Sequence, residues 1–225
     1  MNRSEPKSVA VAGLGAVGKT VVTALDRGIP GWSLAAVATA HPDHHQEYLA
    51  SLTSRPAGVP LGQLVNSADI VVEAAPAAIL HAIVEPMVRA GKSAIVLSVA
   101  ALLDHWNLVE TAKQTGGTIL VPTGALIGLD AVQAAAEGVI HEVRMVTRKP
   151  PRSLIGAPYI ASLGLDIADI DEPVLIFSGT AREAARGFPA NLNVAVALAL
   201  AGAGPDATQL EIWADPRSGR RQDRL

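Results

Sequence analysis

Three glycines carry the clearest chemical signal in the chain. Gly13, Gly15 and Gly18 form Gly-Leu-Gly-Ala-Val-Gly, directly after the apolar run at 8–12 and ahead of Val17, Val21, Ala24 and Leu25 at helical spacing. A glycine loop between a buried strand and a helix is a phosphate cradle. Gly13 allows the tight turn, Gly15 lets backbone approach a pyrophosphate, and Gly18 lets helix and strand pack closely. The amides of Ala16, Val17 and Gly18 open the helix and face the phosphates. The expected ligand is a dinucleotide. NAD enzymes place an acid about 20 residues further on, at the end of the second strand. Here that stretch reads Ala38-Thr39-Ala40-His41, with Asp43 the nearest acid and no Arg for a 2′-phosphate. Thr39 and His41 are left as the available contacts. The cofactor is therefore NAD or NADP, with a preference below about 100-fold.

The elements that must position this loop alternate. Apolar runs at 8–12, 34–38, 69–74, 93–99 and 118–121 read as buried parallel strands. Helical patterns lie between them at 16–27, 77–90 and 103–114, the last two closed by Gly91 and by Gly116-Gly117. Strands separated by helices give βαβ units and a doubly wound parallel sheet, the Rossmann arrangement. Beyond residue 122 the rhythm changes. Helices are expected at 126–137, 181–186 and 191–201, and strands at 140–147, 174–178 and 209–214. That order suits a smaller α+β domain with a mainly antiparallel sheet. The division is thus 1–122 for dinucleotide binding and 123–225 for substrate binding and dimerisation.

Composition removes several classes. The chain has 225 residues, 49% hydrophobic and 17% charged, with net charge −3 and no Cys. That is too apolar for disorder and too acidic for an electrostatic nucleic-acid binder. A disulfide scaffold, a thiolate metal site and a Cys nucleophile are impossible. There is no HExxH and no carboxylate cluster, so no metal is expected. The polar N-terminus runs into a strand with no apolar targeting segment. The apolar stretch at 192–204 falls short of the ~20 residues that span a bilayer. A soluble cytoplasmic protein without a membrane or nucleic-acid partner is the expectation.

Four later segments carry more. They are Pro122-Thr123-Gly124-Ala125-Leu126-Ile127-Gly128-Leu129-Asp130, Thr147-Arg148-Lys149-Pro150-Pro151-Arg152-Ser153-Leu154, Phe188-Pro189-Ala190-Asn191-Leu192-Asn193-Val194-Ala195, and Ala214-Asp215-Pro216. With the glycine loop and Val71-Val72-Glu73-Ala74, they resemble the L-aspartate dehydrogenase family in order and spacing from residue 8 to 216. The resemblance implies a homodimer and NAD(P)-dependent interconversion of L-aspartate with iminoaspartate. The imine either hydrolyses to oxaloacetate and ammonia or feeds NAD biosynthesis. It also implies cofactor contacts at Ala125, in the turn after the fifth strand, and at Asn193, chosen over Asn191 by its distance to the next motif.

The residues themselves agree in part. Small residues after a parallel strand let backbone groups reach a nicotinamide amide, although a plain strand-to-helix turn would look the same. Lys149 and Arg152 flank a stiff Pro-Pro pair and supply cations for a substrate with two carboxylates. A solvated basic loop is the bland alternative. Asn191 is left between a helix N-cap and a substrate contact. Ser98, at the end of the fourth run, faces the cofactor edge. Glu73 and Asp130 read as structural, His44 and His45 as adjacent loop residues, and His81 as a surface residue. His105 and Trp106 begin a helix, and His141 lies on a strand.

One departure stands out. The family follows Ala-Asp-Pro with Asn-x-His, whose His is the acid/base for proton transfer at nitrogen or water. This chain continues Arg217-Ser218-Gly219-Arg220-Arg221-Gln222-Asp223-Arg224-Leu225. Arg221 falls at the Asn position and Asp223 at the His position, and no catalytic residue is assigned. The aperiodic basic tail favours a shift of reading frame over a shortened chain or a divergent paralogue. Loss of the acid/base would lower turnover by at least about 10²-fold. The alternative function is a dinucleotide-binding paralogue without catalysis.

Overall fold

The computed structural model describes residues 5–189 and 192–218. The chain divides into two compact units, Met1–Pro122 and Thr123–Leu225. No helix among the described residues is long and apolar enough to cross a membrane.

The first unit runs β1 (Lys7–Ala12), α1 (Ala16–Arg27), β2 (Trp32–Ala38), α2 (Gln46–Ala50), β3 (Ala57–Gly58), α3 (Leu64–Ser67), β4 (Ile70–Glu73), α4 (Leu80–Arg89), β5 (Ser93–Val96), α5 (Val99–Leu102), α6 (Asn107–Thr115) and β6 (Thr118–Leu120). Among the described residues its strands form one parallel sheet in the order β3-β2-β1-β4-β5-β6. The order reverses beside β1, which pairs with both β2 and β4. This doubly wound sheet is the expected Rossmann arrangement, and its switch point is where such sheets bind ligands.

Side-chain size divides the two faces of the sheet. Ala10, Ala12, Ala36, Ala38 and Ala94 lie beneath Leu80, Ile83, Val84, Met87 and Val88 of α4. Val9, Val11, Leu34 and Val37 cover the other face with Val22 and Leu25 of α1. The period-2 alternation of Val and Ala along β1 sends large side chains to one layer and small ones to the other.

Several boundaries moved for visible reasons. The apolar run 93–99 is not one strand. It leaves the sheet after Val96, because the amides of Leu97 and Ser98 donate to the buried Glu73 carboxylate instead of to a neighbouring strand. Val99–Leu102 then form α5. The stretch expected as one helix over 103–114 begins at Asn107, with Trp106 at its N-cap. The segment after β2 also holds elements with no periodic signature: a 3₁₀ turn at Pro42–His45, α2 and the two-residue β3.

The second unit runs α7 (Leu129–Ala136), β7 (Val143–Lys149), α8 (Pro158–Leu163), β8 (Val174–Thr180), α9 (Ala181–Gly187), α10 (Asn193–Ala201) and β9 (Thr208–Ala214). Its three strands order as β7-β9-β8. β8 and β9 are antiparallel, but β7 and β9 are parallel over seven paired positions. The sheet is mixed rather than mainly antiparallel. The last strand inserts between the two earlier ones, and half-exposed alternation is the same for either pairing direction. Tyr159, Phe177 and Phe188 meet ring to ring at 5.4–5.9 Å and fill the space between α8, α9 and β8. A Thr180–Glu183 capping box starts α9.

Candidate dinucleotide-binding site

The glycine loop leaves β1 bonded to both flanking strands. The Gly13 amide donates to Ala38 O (2.8 Å), and the Ala74 amide donates to Ala12 O (2.8 Å). Gly13 has φ +98°, and a Cβ there would stand 2.3 Å from Ala74 O. A Cβ on Gly18 would stand 2.0 Å from Gly13 O. At both positions only hydrogen fits. Gly15 is different, with an ordinary φ of −71° and nothing within 4 Å of an added Cβ. Its missing side chain leaves space above the loop instead of relieving a clash.

Gly15 is the N-cap of α1. No side chain caps that terminus and no acid stands in its first turn. The first amides of α1, at Ala16, Val17 and Gly18, thus have no partner within the helix. Val17 is 56% exposed beside them. Polar donors at the positive end of a helix dipole, next to an open cradle, suit a pyrophosphate.

A cleft of about 520 Å³ extends from this loop. Its walls come from the carboxyl ends of three adjacent strands: Gly13 to Gly15 after β1, Ala38 to His41 after β2, and Ala74 to Pro76 after β4, with His45, Leu61 and Ile79 at the margins. Among the described residues no carboxylate lines it. Thr39 accepts a hydrogen bond from the His41 amide (3.3 Å), which orders the turn after β2. His41 stacks on His44 with ring centroids 5.2 Å apart. Nδ1 of His45 is buried without a hydrogen-bond partner among the described residues. Burial holds the His45 imidazole below its ordinary value, with the charges of Lys19, His44 and His41 acting in the same direction. From sequence alone His45 is only a loop neighbour of His44. Its signal was position, since it follows the strand end where dinucleotide sites recognise ribose.

The wall that carries these histidines is fastened to α1 at two places. Tyr48 Oη donates to Lys19 O (2.9 Å) and lies 3.0 Å from Thr23 Oγ1. The Asp26 carboxylate accepts from the Thr53 and Ser54 amides and from the Ser54 hydroxyl, at 2.6–3.1 Å. Those bonds, the Ser54 hydroxyl first, hold the Asp26 carboxyl below its ordinary range.

Ser98 follows β5 but is not among the residues lining the cleft. Its amide and hydroxyl both donate to Glu73 (2.9 Å each), and the Leu97 amide adds a third bond (3.0 Å). Glu73 is fully buried at the end of β4. Burial pushes its carboxyl above the ordinary value, against the pull of the hydrogen bonds from Ser98, Leu97 and Ala75.

The other anticipated positions belong to the second unit. Ala125 lies in a turn closed by Leu126 N–H to Thr123 O (3.3 Å). Asn193 is the first residue of α10. Lys149 ends β7, and Arg152 sits in the 3₁₀ turn Pro151–Ser153 that follows. Sheet register brings the Lys149 segment against the Ala214-Asp215-Pro216 motif: Lys149 pairs with Ala214, and the Asp215 amide donates to Lys149 O (2.8 Å). Among the described residues neither Lys149 nor Arg152 has an ion-pair partner, whereas Arg144, Arg148 and Arg217 face Glu211, Asp215 and Glu172. Asn191, Arg221 and Asp223 lie outside the described residues. No group of His, Asp or Glu among the described residues could hold a metal ion.

Comparison with known proteins agrees with this geometry in both units. Residues 13–122 match the family described as homoserine dehydrogenase, NAD binding domain, and residues 130–224 match aspartate dehydrogenase, C-terminal. The L-aspartate dehydrogenase of Bradyrhizobium diazoefficiens is 56% identical over 96% of this chain and 77% of its own length. L-aspartate dehydrogenase 3 of Bordetella bronchiseptica is 57% identical over 96% of this chain and 80% of its own. Among solved structures, the aspartate dehydrogenase of Thermotoga maritima superposes with a TM-score of 0.70 at 22% identity, covering 95% of this chain and 81% of that one. A glycine loop fitted to a pyrophosphate, a parallel sheet with its switch point at that loop, and identity above one half along nearly the whole chain lead to one conclusion: this chain belongs to the L-aspartate dehydrogenase family.

Proposed function

We propose that this protein interconverts L-aspartate and iminoaspartate with NAD or NADP, the imine hydrolysing to oxaloacetate and ammonia or passing to NAD biosynthesis. The observation that carries this reading is the 56–57% identity to two L-aspartate dehydrogenases over 96% of the chain. The fit of the glycine loop to a dinucleotide supports it. The dinucleotide, when bound, supplies the hydride acceptor for the amino-bearing carbon. The chain must bind, orient and shield. On this reading Gly13, Gly15, Ala16, Val17 and Gly18 hold the pyrophosphate and Thr39 meets the adenosine ribose. Ser98, Ala125 and Asn193 belong to the nicotinamide side. The first unit is the dinucleotide-binding domain, and the second binds substrate and forms a homodimer. The protein acts in the cytoplasm. The acid/base position that the resemblance puts after Pro216 lies outside the described residues.

The substrate carries two carboxylates, and Lys149 and Arg152 are cations without an ion-pair partner among the described residues. They bind those carboxylates, with Asn191 as a further polar contact. A charge-assisted bond to a carboxylate is roughly twice as strong as a neutral one. Lys149→Ala is therefore expected to raise the KM for aspartate about tenfold, or ~1.4 kcal/mol, while the KM for cofactor stays within about twofold. Equal rises in both constants would remove Lys149 from the substrate site. The activity itself is tested by NADH oxidation in the presence of oxaloacetate and ammonia, with aspartate identified as product. Oxidation that needs no ammonia, or that runs equally fast with another oxo acid, contradicts the assignment.

A further inference from the structure

The cleft wall after β2 contains an imidazole with a buried Nδ1, at His45, that the dinucleotide reading does not use. Where an NAD-selective site places a carboxylate against the ribose 2′-hydroxyl, this one places histidine. His41 and His45 both line the cleft. His44 stacks behind His41, and Nδ1 of His45 is buried without a partner among the described residues. The cluster is not a metal site, because no set of ligands among the described residues suits one.

The charges around it lean one way. Lys19 of α1 acts on His45 from the neighbouring helix, with its ammonium 5.3 Å from the Tyr48 ring. His41 and His44 act from the same turn. The nearest acids in sequence are Asp43, engaged by Gln46 Nε2 at 3.1 Å, and Glu47 in the first turn of α2. Neither lines the cleft. In the free protein burial, helped by these basic groups, disfavours a proton on His45. A phosphate dianion reverses the balance, because an opposite charge at close range favours the imidazolium.

We propose that His41 and His45 make this cleft a reader of the dinucleotide 2′-phosphate, so that the phosphorylated cofactor binds with proton uptake at His45 and the unphosphorylated cofactor binds without it. The Thr39 hydroxyl, fixed by the His41 amide, supplies a neutral contact that serves either form. Discrimination between the two cofactors is then small in alkali and grows as pH falls through the histidine range. This inference rests on the dinucleotide occupying the cleft.

The test is calorimetric titration of the full chain with NADPH and with NADH, at about pH 6.5 and pH 8.5, in buffers of different ionisation enthalpy. The phosphate monoester is mostly dianionic across that range, so the histidines dominate the change. Wild type is expected to lose about tenfold in NADPH affinity between the two pH values, with protons taken up on binding, while NADH affinity moves less than about twofold. The double variant His41→Asn, His45→Asn should bind NADPH about tenfold more weakly at the lower pH and lose its pH dependence, with a clearly smaller loss for NADH. Parallel pH dependence for both cofactors, or equal losses of both in the double variant, overturns the proposal. Gly15→Val separates it from the underlying reading. If NADH binding survives that substitution, the cleft is not the dinucleotide site. If NADH is lost there but NADPH ignores the histidines, only this inference falls.

Discussion

Gly15→Val should abolish dinucleotide binding in a protein that still folds, whereas Gly18→Ala should unfold the first unit. The two residues lie three apart in one motif, and their surroundings predict opposite failures. At Gly18 the new Cβ would stand 2.0 Å from Gly13 O. The obstructing atom is backbone, fixed by the bond from the Gly13 amide to Ala38. Relief requires moving the start of α1 off β1, and a cost of at least ~3 kcal/mol is expected, among the larger single-residue effects. Gly13→Ala should do the same, through an unfavourable positive φ and a 2.3 Å approach to Ala74 O. Gly15 has neither constraint. Valine there costs about 1 kcal/mol as a poor N-cap. Its methyls, however, fill the space over the α1 amides, and a loss of at least about 100-fold in NADH affinity, ~2.8 kcal/mol, is expected. Thermal melts beside cofactor titrations check the pair. A Gly18→Ala protein with a wild-type melt, or a Gly15→Val protein with wild-type affinity, would show that the loop is not built around these contacts.

The second large effect is expected at Glu73. Its carboxylate is fully buried and accepts from the Leu97 amide, the Ser98 amide and the Ser98 hydroxyl. Glu73→Ala leaves those donors without an acceptor at the β5–α5 turn. Buried donors cost about 1–3 kcal/mol each when stranded, so a loss of roughly 3–5 kcal/mol is expected. Glu73→Gln keeps one carbonyl oxygen for the Leu97 and Ser98 amides, which share one carboxylate oxygen, and its NH₂ can donate to Ser98 Oγ once that hydroxyl turns, so that of the donors to Glu73 only the Ala75 amide is put at risk. It should lie within ~1.5 kcal/mol of wild type. The pair also predicts a pH signature. Because burial raises the folded carboxyl above its ordinary value near 4.5, the folded state binds the proton more tightly. The stability linked to that proton is complete below the unfolded value and falls as pH rises through the folded one. Wild type should therefore lose stability relative to Glu73→Gln on going upward from about pH 4.5. Urea midpoints measured from pH 4 to 8 decide it. A difference that is flat with pH, or that grows in wild type's favour toward alkali, contradicts a carboxyl raised by burial.

Glu73 also marks where sequence reading reached its limit. The Rossmann unit was legible because parallel strands are apolar runs and the helices between them carry a 3.6-residue stripe. β1, α1 and β2 were found within two residues of their ends. The run 93–99 misled because its apolar residues continue past the strand, and only the position of a distant carboxylate explains why the chain turns at Leu97. The two-residue β3 and the four-residue α3 are too short to have a period. In the second unit alternation was the signal for the first strand, which begins at Val143 and ends at Lys149 where 140–147 was expected. The parallel pairing of β7 with β9 was not legible, since it depends on where the last strand inserts. The phosphate loop was legible from three glycines. His45 was not, because a histidine is informative only once its neighbours and the cleft it faces are known.

The bonds from Tyr48, Thr53 and Ser54 to Lys19 and Asp26 of α1 bear on how such a protein could change its diet of cofactors. They fasten the stretch between β2 and β3 by its second half, at Tyr48 and at Thr53-Ser54, and leave the histidine turn at 41–45 to hang between that anchor and the strand end. No large core side chain comes from the turn, and each of its residues keeps some exposed surface, even His45, whose Nδ1 is covered. If the turn reads the nucleotide as proposed, substitutions there alter which nucleotide is held without disturbing the sheet or the glycine loop. The turn is a replaceable cassette, and selection can retune cofactor use within it in single steps, each leaving a folded protein.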